Sequence, residues 1–452
     1  MPGRRDMTSH RNVAGHRDLT DRAAPPTKIP AERLRLLHEA APEESGIYVL
    51  YWMTASRRTF WNYALQRAAD WARHLGKPLV VCEPLLLDSA WACDRAHRFV
   101  LEGMMDSARR LGFAGVHHYP FVETEPGAGA GLLAGLLRRA CVGVVDRHPP
   151  DSVPQGEPAG ADNEIAECAC RVEEVDSSGV VPLAATGTAP HGLPEFRRFL
   201  HERFRGHLSD FPERNPLAKF HEMVLEALPP AISTRWPRAS GLLLAGDPGE
   251  LARLPLDHSV APIGPRGGST TAQAVWRELL DRLVASGPDR PADPSTDRPA
   301  DPLADRDADR HTHRPMDRPA DGLEDPSATQ PSSPASNWPE KRPSNPATAL
   351  AADPAPEAFV LPVVPHLRFG HISVHQILAE TLRRCRWTPD RLPGGAEGNP
   401  RGFWGLSPRV EAFLDEALVL REFRFHGASR APDNATDPFV FHEFFRGIGR
   451  HL

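Results

Sequence analysis

Residues 48–111 limit the fold of this chain more than any other stretch, because apolar runs and helical spacings alternate there. Residues 47–51 are short, apolar and rich in β-branched and aromatic side chains, the composition of a buried strand. Trp61, Ala64, Leu65, Ala68, Ala72 and Leu75 then recur at helical spacing, so one face of that segment is apolar. Gly76 and Pro78 predict its end, and residues 79–82 supply a second strand. Val100, Met104, Ala108 and Leu111 make a second amphipathic face. A strand-helix-strand-helix order builds a parallel sheet covered by helices, so the expected class is α/β and Rossmann-like. Residues 116–119, 141–146 and 172–175 read as further strands, with a helix over 131–140.

The 452 residues leave room for two or three domains. Proline, at 48 residues, is about twice its usual share of ~5%, which points to irregular segments inserted into the fold. A net charge of -6 gives no overall pull toward nucleic acid, although a local basic patch works within an acidic whole. Of the six cysteines, Cys82 and Cys141 fall in expected buried strands, where cysteine behaves as a small hydrophobe. Cys168 and Cys170 form a CxC pair without a second pair, so packing is preferred to metal binding. The first thirty residues are charged and lack an apolar secretory core, and no run approaches the ~20 apolar residues of a membrane helix. The expectation is a cytoplasmic monomer with no membrane contact.

The chain divides by character. Residues 1–45 read as a basic, disordered arm, 46–180 as the α/β domain, and 190–285 as the start of a helical region. Residues 286–355 repeat DRPAD at 289, 297 and 317 in a tract of Asp, Arg, Pro and Ser, too poor in apolar surface to order itself. Helical sequence resumes over 356–452. The glycine-rich loop at 126–131 opens a helix, where free N–H groups could cradle an anion. Its spacing fits neither a dinucleotide fingerprint nor a P-loop, so a turn is the preferred reading. Gly267, Gly268 and Ser269 read as a helix-capping turn.

YWMTASRRTFWNYALQRAADWARHLGKPLVVCE, followed by DRAHRFVLEGM, resembles the antenna domain of class II DNA photolyases. LPLDHSVAPIGPRGGSTTAQAVWRELLDRL at 254–283, VVPHLRFGHISVHQILAETLRR at 363–384 and GFWGLSPRVEAFLDEALVLREF at 402–423 resemble helical segments of the same family, so the likeness covers over half the chain. It implies a Rossmann-like domain followed by an all-helical FAD domain, with an antenna chromophore in some members. It also implies UV-damaged DNA as partner and light-driven repair of cyclobutane pyrimidine dimers as activity. Splitting two carbon–carbon bonds needs an electron that side chains do not supply; in the family, excited reduced FAD gives it to the flipped-out dimer.

Carried over residue by residue, Glu416 matches the family glutamate on the lesion's base edge, and Arg421 and Glu422 match an Arg-Glu pair, with Arg421 the DNA-binding candidate. Leu420 stands where the family has a tryptophan, losing a π-face worth ~1–3 kcal/mol per stacked base. The family's flavin-phosphate loop carries hydroxyls; here it reads FVLPVV, with Leu361, Val363 and Val364 in their place. The family's later helices, of HNYLRMYWGK and YALDGRDPN type, have no counterpart in PFVFHEFFRGIGRHL, so the helical domain is expected to be partial, with Phe439, Phe441, Phe444 and Phe445 in a short packed element. The plain alternative for Glu416 is a helix carboxylate beside Arg424 or Arg421. His366, His371 and His375 cluster without a carboxylate, so packing is preferred to metal binding. Three readings stand: a photolyase, a flavin-less and inactive photolyase-like protein that binds DNA or a nucleotide, and a frame-interrupted product.

Overall fold

The computed structural model describes residues 24–87, 92–148, 161–218, 220, 223–262, 264–285 and 362–428. The first 23 residues, the Asp/Arg/Pro-rich insert, Leu361 and the four phenylalanines from Phe439 to Phe445 lie outside them.

Among the described residues six strands make one sheet: β1 (Leu34–His38), β2 (Tyr48–Trp52), β3 (Leu79–Leu85), β4 (His117–Val122), β5 (Ala140–Asp146) and β6 (Arg171–Val175). Their spatial order is β1-β6-β5-β2-β3-β4. All neighbours are parallel except β1, which runs antiparallel to β6. β2, β3, β5 and β6 are buried at every position; β2 and most of β3 and β5 read as continuous apolar runs for that reason, whereas β6 (RVEEV) buries three charged side chains.

Helices α1 (Tyr63–Leu75), α2 (Asp94–Phe113), α3 (Leu132–Leu137) and α4 (Ala161–Ala166) connect the strands. The α1 helix starts at Asn62, whose side chain accepts from Leu65 N at 3.0 Å, and stops at Gly76 in the left-handed region. Two expectations change. The stretch read as an arm through residue 45 contains β1, an edge strand whose partly exposed LRLLH pattern carries little apolar signal. The helix expected over 131–140 is shorter, because Ala140 already pairs with Tyr48 in the sheet.

The rest is helical: α5 (Leu193–His207), three single turns α6 (Pro230–Ser233), α7 (Gly241–Leu244) and α8 (Pro248–Leu251), α9 (Ser269–Val284), α10 (Val364–Arg368), α11 (Val374–Arg384) and α12 (Pro408–Leu414). A π-helical turn, Asp415–Leu420, then leads into α13 (Arg421–Ala428). Phe196, Phe204, Trp276, Ile377 and Phe413 centre their shared core, with Trp276 and Phe413 stacked at 5.6 Å. The described sheet and helices belong to one compact unit. No described helix is long and apolar enough to cross a membrane.

Candidate functional site

The chain runs from β2 outward through β3 and β4, then returns to place β5 on the other side of β2. The carboxyl ends of β2 and β5 therefore part at a topological switch point, where doubly wound sheets hold their ligands. The loop after β2 is fixed there by Asp146, at the end of β5. Its Oδ2 accepts from the backbone N–H of Thr54, Ala55 and Ser56 at 3.0, 2.9 and 2.9 Å, and its Oδ1 from the Tyr51 hydroxyl at 2.9 Å. Four donors fill both oxygens, so this carboxylate anchors the loop and orients the two arginines that come directly after Ser56.

Arg57, the first of them, pairs with Glu83 at 3.2 Å and donates to the Pro84 carbonyl. Arg58 donates to the carbonyls of Trp61, Gly370 and Ser177 at 3.2, 3.1 and 3.3 Å. Together with Ser177, Ser178, residues 367–370, Ile372, Val374, Arg421 and Phe425, the loop lines a small cleft with a cavity volume of about 40 Å³. Arg421 enters from the opposite wall, donating to the Ser178 carbonyl at 3.0 Å with its guanidinium 4.5 Å from the Phe425 ring centroid. Burial pulls both Arg58 and Arg421 down to about 10. Beside them Glu422 accepts from Val180 N at 3.0 Å, and burial raises its carboxyl to about 7.

The helical wall approaches closely because Gly370 allows it. Its φ is +73°, and a Cβ there would lie 1.9 Å from the Ala55 carbonyl oxygen. Next to it, Phe99 of α2 packs against His366 and His371 at 5.1 and 4.9 Å. His371 Nδ1 accepts from Gly268 N at 3.0 Å, while Asp106 caps Thr270 N at 2.8 Å, so α2 and residue 371 complete the capping turn seen in the sequence. Burial holds His366 at about 4, and His371 and His375 well below the ordinary imidazole value. These rings are neutral packing groups of the seam. No group of three or more His, Cys, Asp or Glu able to hold a metal occurs among the described residues.

Glu416 sits on the π-helical turn and meets Arg424, eight residues further on, at 3.2 Å. It does not line the cleft, whereas Arg421 does. Leu420 is half-buried on the same turn. Val363 is completely buried in the apolar helical core, and Val364 packs against it. The described part of this loop therefore carries apolar side chains committed to the core, with no hydroxyl and with Pro362 lacking an N–H. Phosphate oxygens placed there would lose water without gaining donors, so the residues do not fit a flavin phosphate.

The glycine-rich loop is a turn whose anions come from the protein itself. Glu164 accepts from Gly131 N and Ala134 N at 3.1 and 2.9 Å, and Glu123 from Leu87 N and Gly129 N at 2.8 and 2.9 Å. Of the CxC pair, the Cys168 thiol donates to the Cys170 carbonyl, and both side chains are buried. The residues that the sequence reading passed over are Ser56, Arg58, Ser177 and Ser178. One signal was available: a hydroxyl- and arginine-rich segment directly after the first parallel strand of an α/β fold.

No family model matches the chain. It is 30% identical over 255 residues, 56% of its length, to the deoxyribodipyrimidine photo-lyase of Methanothermobacter thermautotrophicus. It spans 51% of that protein, about half its length. A solved class III photolyase from Agrobacterium tumefaciens aligns with a TM-score of 0.46 at 15% identity, over 86% of this chain and 60% of that one.

Proposed function

We propose that the chain is a member of the photolyase family, of class II type, acting in the cytoplasm as a monomer that recognises UV-damaged DNA without flavin photochemistry on its described residues. The family assignment is supported by the 30% identity to a deoxyribodipyrimidine photo-lyase and by the collinear segments read in the sequence. The single observation behind the flavin-free reading is Val363, fully buried in apolar core where a flavin phosphate would need donors. With no electron source, side chains alone do not split a cyclobutane ring, which leaves binding.

Two measurements test this. Protein incubated with FAD and desalted is expected to stay colourless, with no flavin band in the visible spectrum. Binding to UV-irradiated duplex is expected to weaken with salt, as phosphate contacts require. A retained flavin band removes the flavin-free reading, and no DNA binding at low salt removes recognition.

Light-driven dimer repair is the second reading, favoured by Glu416, Arg421 and Glu422 standing at matching positions. Loss of dimers from irradiated DNA under blue light, and not in the dark, would establish it.

A further inference from the structure

We propose that Cys168 and Cys170 form a redox-active dithiol, converted to an intramolecular disulfide by a hydroperoxide and returned by a small thiol reductant. This depends on neither the flavin nor the DNA reading above.

The placement of the pair leads to it. Cys168 and Cys170 lie in the bend between α4 and β6, where the chain turns tightly enough to bring Cys168 Sγ to 3.2 Å from the Cys170 carbonyl oxygen. The two thiols are within hydrogen-bonding reach of each other. Both are free, and Cys168 is 8% exposed while Cys170 is completely buried. His38, at the end of β1, completes the group. Its Nδ1 stands 2.9 Å from the Cys170 carbonyl oxygen, and since a carbonyl only accepts, Nδ1 carries the proton. That N–H is 3.7 Å from Cys168 Sγ, placed to steady a thiolate there.

The two sulfurs are unequal, which sets their order. Burial raises the Cys168 thiol, and donation from Cys170 offsets part of that rise. Burial raises Cys170 to about 12, and Cys168 beside it adds to the shift. Cys168 therefore ionises first and attacks, while Cys170 keeps its proton and resolves. The Cys168 thiolate attacks one peroxide oxygen, the O–O bond breaks, and the departing hydroxide or alkoxide is protonated. The resulting sulfenic acid is then attacked by the Cys170 sulfur: the S–S bond forms, the S–O bond breaks, and hydroxide leaves with the Cys170 proton as water. Each sulfur gives up one electron and the peroxide takes two.

The test is exposure of the full, reduced chain to a small excess of hydrogen peroxide, followed by alkylation under denaturing conditions and peptide mass mapping. The expected product lacks two hydrogens, leaves four of the six cysteines open to alkylation and joins Cys168 to Cys170; dithiothreitol restores the starting mass. Its rate of formation should rise by about tenfold per pH unit from neutrality, because the thiolate attacks. Cys170→Ser should halt at the sulfenic acid, trapped on Cys168 by dimedone, while Cys168→Ser should leave Cys170 at least about tenfold slower to react. Cys93, 7% exposed, is the internal comparison. Oxidation of Cys93 ahead of the pair, both thiols still open to alkylation after peroxide, a disulfide that forms only in urea, or a rate unchanged with pH overturns the proposal.

Discussion

The sheet and the seam between sheet and helices treat buried charge in opposite ways. In the sheet, Glu173 alone accepts from Arg67, Arg171 and the Trp71 indole at 2.6–3.0 Å, and these bonds hold its carboxyl below the usual range despite burial. In the seam, Arg58 and Arg421 donate their hydrogen bonds to carbonyls, Arg421 also lying over Phe425, and His366 has no hydrogen-bond partner on either ring nitrogen among the described residues. Sheet charges are closed upon each other by direct side-chain pairs, whereas the seam arginines are held by backbone carbonyls, with Asp146 and Glu422 as their nearby opposing charges.

The largest expected effect would break this contrast if absent. Glu173→Gln leaves two buried guanidiniums without their carboxylate and should cost about 3–5 kcal/mol in urea unfolding. Arg421→Met, taken from the seam, should cost less, about 1–2 kcal/mol, since it removes one carbonyl bond and the stacking on Phe425 while Glu422, already raised to about 7, can take up a proton. Equal losses in the two variants would mean that the seam arginines are as structural as those of the sheet.

Acid separates the regions next. His97 and His366 are fully buried and held at about 4 by desolvation, against about 6.5 in an unfolded chain. Between those values the unfolded chain binds more protons, so stability is full above pH ~6.5 and falls as pH drops toward 4. Each histidine contributes about 1.4 kcal/mol per pH unit in that window. The Glu173 cluster has a lowered carboxyl and loses its contribution only below the ordinary carboxylate range. Hydrogen exchange at pH 5 should therefore expose amides of α2 and residues 366–371 before those of β5. His366→Phe should flatten the pH dependence of urea unfolding; an unchanged slope would show that the seam does not titrate.

Legibility in the sequence divides along the same line. Most parallel strands were legible because strands buried on both faces favour apolar runs, as residues 79–82 and 141–145 show, although the buried β6 carries Arg171, Glu173 and Glu174. The β1 strand was not, because an edge strand with exposed Arg35 needs no such pattern. The pairing of Glu416 with Arg424 was readable as one of two helix partners, yet the π-helical turn beneath it had no local signature. The cleft was hardest to see. Residues 54–58, 177–178, 368 and 421 are distant in sequence, and only the strand order brings them to one place.

A smaller effect concerns the loop that offered an anion cradle. Glu164→Ala withdraws the carboxylate from Gly131 N and Ala134 N at the start of α3, a capping loss of about 1 kcal/mol. Added phosphate should not restore the lost Tm if this helix start serves only the protein's own carboxylate. Restoration would place an anion site in the sheet half and blur its distinction from the seam.

The smallest effect is expected at the residue that family resemblance ranks highest. Glu416 and Arg424 are half-buried to exposed, so their pair is screened by solvent and worth about 0.2–1 kcal/mol. Glu416→Gln should shift urea unfolding by no more than that, and the shift should shrink as salt rises. The same variant bears on function through a different reading. If Glu416 is only the partner of Arg424, affinity for UV-irradiated DNA is unchanged within about a factor of two, because a surface pair carries no base readout. If it meets the lesion's base edge, damaged DNA weakens by about 1–3 kcal/mol, as loss of a bidentate base contact does, while undamaged duplex is unaffected. A selective loss would move recognition of damage onto the π-helical turn and away from the arginine cleft. The two functions would then be carried by neighbouring turns of one helix, Glu416 facing outward and Arg421 facing the sheet.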